Sequence, residues 1–197
     1  MHSISRRDFV KSAAALTAAA SLPAISWGRI RGANDRLNIG VIGTGGMGTV
    51  HVESLVKKSA AENIAVTRVC DVYRKRLNRA ISIIGGTENS GSMEYERILD
   101  DKSVNAVLIA TPDHWHTKIA IEAMEAGKDV YVEKPLSLTI EQAIACREAV
   151  KRTGRVLQVG PQGTSEGRWR VAREAIKAGR IGKVVWSQGS YCRNSRE

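Results

Sequence analysis

The sequence predicts an α/β fold: a doubly wound parallel sheet, with only the start of an α+β domain after it. Three observations predict it. Short, nearly continuous apolar runs recur at 37–42, 64–70, 105–110, 129–132 and 155–160, which is how parallel strands buried on both faces read. Segments of helical character alternate with them, as a parallel sheet requires. The first run ends in GTGGMG, where Gly43, Gly45 and Gly48 form a G-x-G-x-x-G between strand and helix.

The 197 residues suffice for one good core and part of another. Lys and Arg exceed Asp and Glu by 30 to 20, a net charge of +10. The cations are scattered over the polar faces of predicted helices rather than gathered in a stripe, so they read as a solvated surface and not as a nucleic-acid site. Cys70, Cys146 and Cys192 are too few and too far apart for a disulfide framework or a zinc site.

Residues 1–28 read as a leader, not as fold. Ser5-Arg6-Arg7-Asp8-Phe9-Val10-Lys11 precedes AAALTAAASLPAIS, a charged head followed by a mild apolar run. The paired arginines with Phe9 and Lys11 resemble a twin-arginine export signal. The expected partner is the twin-arginine export machinery and the expected location is periplasmic. The alanine-rich run is too short and mild for a stable membrane anchor. A small-x-small site for cleavage is offered at Ala24-Ile25-Ser26. After a polar link the dinucleotide-binding domain is expected over 36–180.

The first strand, the glycine loop, a helix and a second strand ending in Asp71 make a dinucleotide-binding, or Rossmann, fingerprint. Gly43 permits the tight turn, Gly45 admits a pyrophosphate to the backbone, and Gly48 lets helix and strand pack closely. The helix N-terminus offers free N–H groups and a positive dipole end. Asp71 lies about 20 residues past the glycines, where an acid accepts ribose hydroxyls and repels a 2′-phosphate. Arg74 and Lys75 follow and pull toward NADP, but the acid holds the closer position, so NAD is expected. Asp71 also reads as an N-cap for a helix over 73–84.

The loop 85–91 and a helical turn at 95–100 lead to the third long strand, 105–110. It ends in Thr111-Pro112-Asp113-His114-Trp115-His116, with a helix to Ala126 and Gly127 as its stop. Ligands of open α/β sheets bind outside the carboxyl ends of strands, so this cluster reads as a cofactor-lining loop, with Asp113 or Thr111 capping the helix. Two histidines two apart make a poor metal site, and no metal is expected. The next strand ends in Glu133-Lys134-Pro135. Lys134 there is either a proton-handling lysine oriented by Glu133 or an exposed loop lysine. An amphipathic helix over 139–153 follows, then a strand to Gly160, Pro161-Gln162-Gly163-Thr164, a helix over 165–178, and strand character at 183–190.

In this order, GTGGMG, CD, ATPDHWH, EKP, VGPQ and AGRIGKV resemble the Gfo/Idh/MocA family of glucose–fructose oxidoreductase and inositol dehydrogenase. The resemblance covers residues 37 to about 190. It implies a Rossmann domain followed by an α+β domain on a large open sheet, and oxidation or reduction of sugar or cyclitol carbons with NAD(P). Some branches are NAD-dependent glycosidases. By this resemblance Gly43, Gly45, Met47 and Gly48 form the pyrophosphate loop and Asp71 is the ribose acid. Thr111, Pro112, His114 and His116 line the nicotinamide half, with Gln162 as a polar neighbour. Glu133, Lys134 and Pro135 match EKP, whose lysine assists proton transfer at the substrate.

The resemblance also implies a second catalytic set, usually an Asp and a His, from the C-terminal domain. No residue here fills those places, and 181–197 reads as that domain's first strand. The expectation is therefore a truncated chain that binds NAD weakly and turns nothing over. A non-catalytic NAD-binding remnant is the alternative to an enzyme, and a homo-oligomer is compatible with the full-length protein.

Overall fold

The computed structural model describes residues 36–190. The expected leader at 1–28 lies outside them. Six strands and six helices are formed, all but β3 in the expected order: β1 Leu37–Ile42, α1 Gly46–Glu62, β2 Ile64–Cys70, α2 Arg74–Ile83, β3 Gly91–Ser92, α3 Glu96–Asp100, β4 Ala106–Ile109, α4 His116–Glu125, β5 Asp129–Glu133, α5 Ile140–Thr153, β6 Leu157–Gly160 and α6 Gly167–Lys177. The sheet runs β3-β2-β1-β4-β5-β6, and every neighbouring pair is parallel. The strand order reverses at β1. The crevice outside the carboxyl ends of β1 and β4 is therefore the topological switch point where such sheets bind ligands.

Alternation along β1 buries both faces. Ile39 and Val41 join Val52 of α1 and Leu77 and Ala80 of α2 on one side. Ile42 joins Ile98 of α3 and Ile119 and Met124 of α4 on the other. A side chain at Gly40 would stand 2.5 Å from Ile98 Cγ2, so glycine in mid-strand is what admits Ile98. Burying a side chain of that size stabilises the fold by about 1.5–3 kcal/mol.

Helix ends follow local chemistry. Thr139 accepts the Gln142 N–H at 3.3 Å to cap α5, and Gly154 closes it in the left-handed region at φ 66°. The expected caps of α4 and α2 are not formed. A single 3₁₀ turn, Asp113–Trp115, runs directly into α4 and puts Trp115 at its N-cap, so neither Thr111 nor Asp113 reaches the first helical turn. Likewise α2 starts after Tyr73, and Asp71 reaches only the Tyr73 N–H.

Two further differences concern strands. Gly91–Ser92 forms a short edge strand beside Val69 and Cys70. Two residues carry no period, so this stretch read as a loop. In contrast, the expected strand at 183–190 is absent from the described residues. A strand needs a neighbour for its N–H and C=O groups, and none stands there. Val185 and Trp186 are left 87% and 74% exposed. No described helix is long and apolar enough to cross a membrane.

Candidate cofactor-binding site

The glycine loop is shaped by close approach. Gly43 sits at φ +89°, and a Cβ there would meet the Ala110 carbonyl carbon and oxygen at 2.7 Å. A Cβ on Gly48 would stand 1.9 Å from the Gly43 oxygen. At Gly45 the nearest atom is 3.6 Å away, on Arg76. The N–H groups of Gly45, Gly46 and Met47 have no acceptor among the described residues, and the first turn of α1 carries no acid. A row of free donors at the positive end of a 17-residue helix, with the Arg76 guanidinium beside it, fits the diphosphate of a dinucleotide.

Asp71 closes the far side of this loop and is buried. Its Oδ2 accepts from the Thr44 N–H at 2.8 Å and the Thr44 hydroxyl at 3.0 Å. Its Oδ1 accepts from the Tyr73 N–H at 2.8 Å. A carboxylate has about four lone-pair sites, so three donors leave room for one ribose hydroxyl rather than a pair. The acid therefore braces the loop as well as facing the cleft. That cleft has a volume of about 410 Å³, and its lining includes Gly43, Gly45, Asp71, Arg76, Thr111 and Pro112. Of the three basic residues opening α2, Arg76 lines it, and Arg74 and Lys75 do not.

The loop after β4 divides its residues between the cleft and the frame. Pro112 and Trp115 line the cleft. The Thr111 hydroxyl is enclosed, with no partner among the described residues. His114 is exposed, 3.7 Å from Asp113. His116 is buried. Its Nδ1 lies 2.7 Å from the Pro135 carbonyl and its Nε2 2.8 Å from the Thr111 carbonyl. Thr117 donates to the Leu136 carbonyl at 2.9 Å. Both residues tie the loop after β4 to the turn after β5, so His116 supports the cleft wall from behind instead of facing a ligand.

Glu133, at the end of β5, is the hub of a second cluster. His51 Nε2 lies 2.6 Å from its Oε1, and the Gln162 amide donates to the same oxygen. Its Oε2 accepts the Lys134 backbone N–H at 3.3 Å. Glu133 thus orients the Lys134 backbone, and no ion pair with the Lys134 ammonium forms among the described residues. Tyr131 stacks edge-on against His51, with ring centroids 5.5 Å apart. Burial raises the Tyr131 phenol and the Glu133 charge adds to this, while a hydrogen bond with Gln162 opposes it. The exposed Lys134 lines a shallow groove of about 310 Å³ with Gln162, Arg168 and Trp169.

The sheet edge thus brings together Gly43, Gly45, Asp71, Thr111 and Pro112 in one cleft, and Lys134 with Gln162 in a second groove. Gly48 serves packing, and Met47 supplies a backbone donor. Thr44, His51, Arg76 and Tyr131 escaped the sequence reading. His51 carries a usable signal: it lies one helical turn beyond Met47, on the helix that leaves the glycine loop.

Comparison with known proteins agrees with this geometry. Residues 37–161 match the Gfo/Idh/MocA model, described as an oxidoreductase family with an NAD-binding Rossmann fold. Residues 3–23 match the twin-arginine translocation signal sequence. Scyllo-inositol 2-dehydrogenase (NAD(+)) of Bacillus subtilis (strain 168) is 34% identical over 149 residues, 76% of this chain and 42% of its own length. A glycosyl hydrolase family 109 protein of Shewanella sp. (strain W3-18-1) is 32% identical over 178 residues, covering 78% of this chain and 38% of its own. The crystal structure of myo-inositol 2-dehydrogenase from Lactobacillus plantarum superposes with TM-score 0.70 at 26% identity, over 77% of this chain and 44% of that one. The chain spans less than half the length of the curated relatives it matches.

Proposed function

The chain belongs to the Gfo/Idh/MocA oxidoreductase family with its NAD-binding Rossmann fold, and on that premise we propose that it is the cofactor-holding part of an exported, periplasmic NAD-dependent oxidoreductase of sugar or cyclitol hydroxyls. The observation that carries the proposal is the row of free N–H groups at Gly45, Gly46 and Met47 beside the Asp71 carboxylate. Bound NAD supplies a hydride acceptor at its nicotinamide, and NADH a donor.

The chain's own residues divide the remaining work. The glycine-loop N–H groups hold the diphosphate, and Asp71 accepts a ribose hydroxyl and disfavours a 2′-phosphate. Lys134 stands in the open groove beside Gln162, where its amine holds or takes the proton of a substrate hydroxyl. His116 and Thr117 fix the turn that carries it.

A second reading is an NAD-dependent glycosidase, favoured by the family 109 relatives. It uses the same cofactor residues. The test is made in a protein of the relatives' full length that carries this chain as its first half. With NAD and a panel of cyclitols and sugars, the oxidoreductase accumulates NADH, whereas the glycosidase releases sugar without net NADH. Lys134→Ala is expected to lower turnover by at least about 100-fold while leaving NAD affinity within about twofold. Undiminished turnover in that variant would remove Lys134 from the chemistry.

A further inference from the structure

Building on the NAD reading above, we propose that a smaller cavity beside the cofactor cleft seats a phosphate monoester, the 2′-phosphate of NADP, on Arg76, so that the chain takes NADP as well as NAD. Arg76 lines two cavities. One is the cleft of about 410 Å³ that Asp71 also lines. The other, of about 240 Å³, lies between the starts of α1 and α2, with Thr44, Gly46, Thr49, Glu53 and Arg79 in its wall. Gly45 lines both, so the two meet at the glycine loop. A guanidinium nitrogen of Arg76 lies 3.6 Å from the place a Gly45 Cβ would take.

Asp71 alone does not close the site to NADP. An acid at this place selects NAD by taking the ribose hydroxyls and repelling a 2′-phosphate. Thr44 and Tyr73 already fill three of its roughly four acceptor sites. One ribose hydroxyl is all it can still accept, and NADP keeps its 3′-hydroxyl. The repulsion is opposed by the Arg76 cation in the wall of the same cleft. Among the described residues Arg76 forms no ion pair, and its guanidinium carbon stands 5.8 Å from the Tyr73 ring centroid. Its planar fork of N–H groups suits phosphate oxygens. The other polar groups of the smaller cavity are engaged. Arg79 and Glu53 face each other at 3.5 Å, and the Thr44 and Thr49 hydroxyls donate to Asp71 and to the Thr44 carbonyl. Glu94 and Glu96 line the cleft but not the smaller cavity, and Arg74 and Lys75 line neither.

The test is a set of calorimetric titrations with NAD⁺ and NADP⁺ on wild-type chain, Arg76→Gln and Arg74→Gln. The readout is the ratio of NADP⁺ to NAD⁺ affinity. Wild-type chain is expected to bind NADP⁺ within about thirtyfold of NAD⁺. Arg76→Gln removes charge-assisted hydrogen bonds that only the 2′-phosphate receives, and is expected to lower the ratio at least about tenfold. Arg74→Gln removes the same charge outside both cavities and is expected to leave the ratio within about twofold. Raising salt from about 50 to about 500 mM is expected to lower the wild-type ratio several-fold, a reading that needs no variant to fold. A wild-type NADP⁺ affinity weaker than that limit, an unchanged ratio in Arg76→Gln, an equal fall in Arg74→Gln or a ratio indifferent to salt overturns the proposal and leaves the NAD reading in place. Wild-type chain that binds neither cofactor overturns the NAD reading and the proposal with it.

Discussion

Thr44 meets Asp71 twice: its N–H and its hydroxyl both donate to one carboxylate oxygen, at 2.8 and 3.0 Å. The carboxylate that lines the cleft therefore also holds the glycine loop against the end of β2. Asp71→Ala is expected to weaken NAD binding at least about tenfold and to lower stability by about 1.5–3 kcal/mol, the range for hydrogen bonds to a charged acceptor. Thr44→Val removes only the hydroxyl and should cost about 1 kcal/mol. Urea unfolding and calorimetric titration measure both. Unweakened NAD binding by Asp71→Ala would free the acid from the ribose role.

The glycines of one loop should not be equivalent. A methyl on Gly48 would lie 1.9 Å from the Gly43 oxygen, whereas nothing lies within 4 Å of one on Gly46. Gly48→Ala is expected to destabilise by at least about 1–3 kcal/mol through overpacking. Gly46→Ala should be neutral or slightly stabilising, because it opens a helix. Equal unfolding midpoints for the two variants would contradict the packing role of Gly48.

The parts of this site that the sequence discloses are those set by the backbone. G-x-G-x-x-G and five of the six strands follow from glycine spacing and from apolar runs. Side-chain partners across elements are a different matter. His51 and Glu133 are far apart in the chain and meet only because the fold brings the first turns of α1 within reach of the end of β5. His116 sits in a polar run that reads as ligand-facing, yet it is buried because two backbone carbonyls flank its ring. The strand expected at 183–190 shows the same limit from the other side. Its apolar run Val184-Val185-Trp186 is real, but pairing is a property of two strands.

Cys70 lines the cofactor cleft but is not expected to react there. Burial, with the Asp71 charge second, pushes its thiol up to about 12, so it stays protonated through neutral and mildly alkaline pH, and the thiolate is the reactive form. Cys146 is also raised by burial. Iodoacetamide at pH 8 should leave both unmodified in the folded protein and label both in urea, as read by peptide mass spectrometry. Rapid native labelling of Cys70 would contradict its burial.

Asp101 links pH to stability. The Ser103 hydroxyl, the Ser103 N–H and Arg68 hold its carboxyl below the ordinary value of 3.8, against the opposing effect of burial. A carboxyl depressed in the folded state stabilises above its unfolded value and loses that contribution as pH falls through the folded one. Asp101→Asn should therefore be less stable at pH 6 and should close the gap to wild type as the pH drops below about 4. A gap that stays constant to pH 2.5 would deny the linkage.

The most direct measurement follows the backbone amides of Gly45, Gly46 and Met47 by ¹⁵N nuclear magnetic resonance as NAD is added to the chain. These three signals are expected to move together and saturate, along with those of Thr44 and Asp71, and ADP-ribose is expected to move them to the same degree. Stationary glycine-loop signals while NAD binds elsewhere, or no saturable change at any residue, would contradict diphosphate binding at the glycine loop.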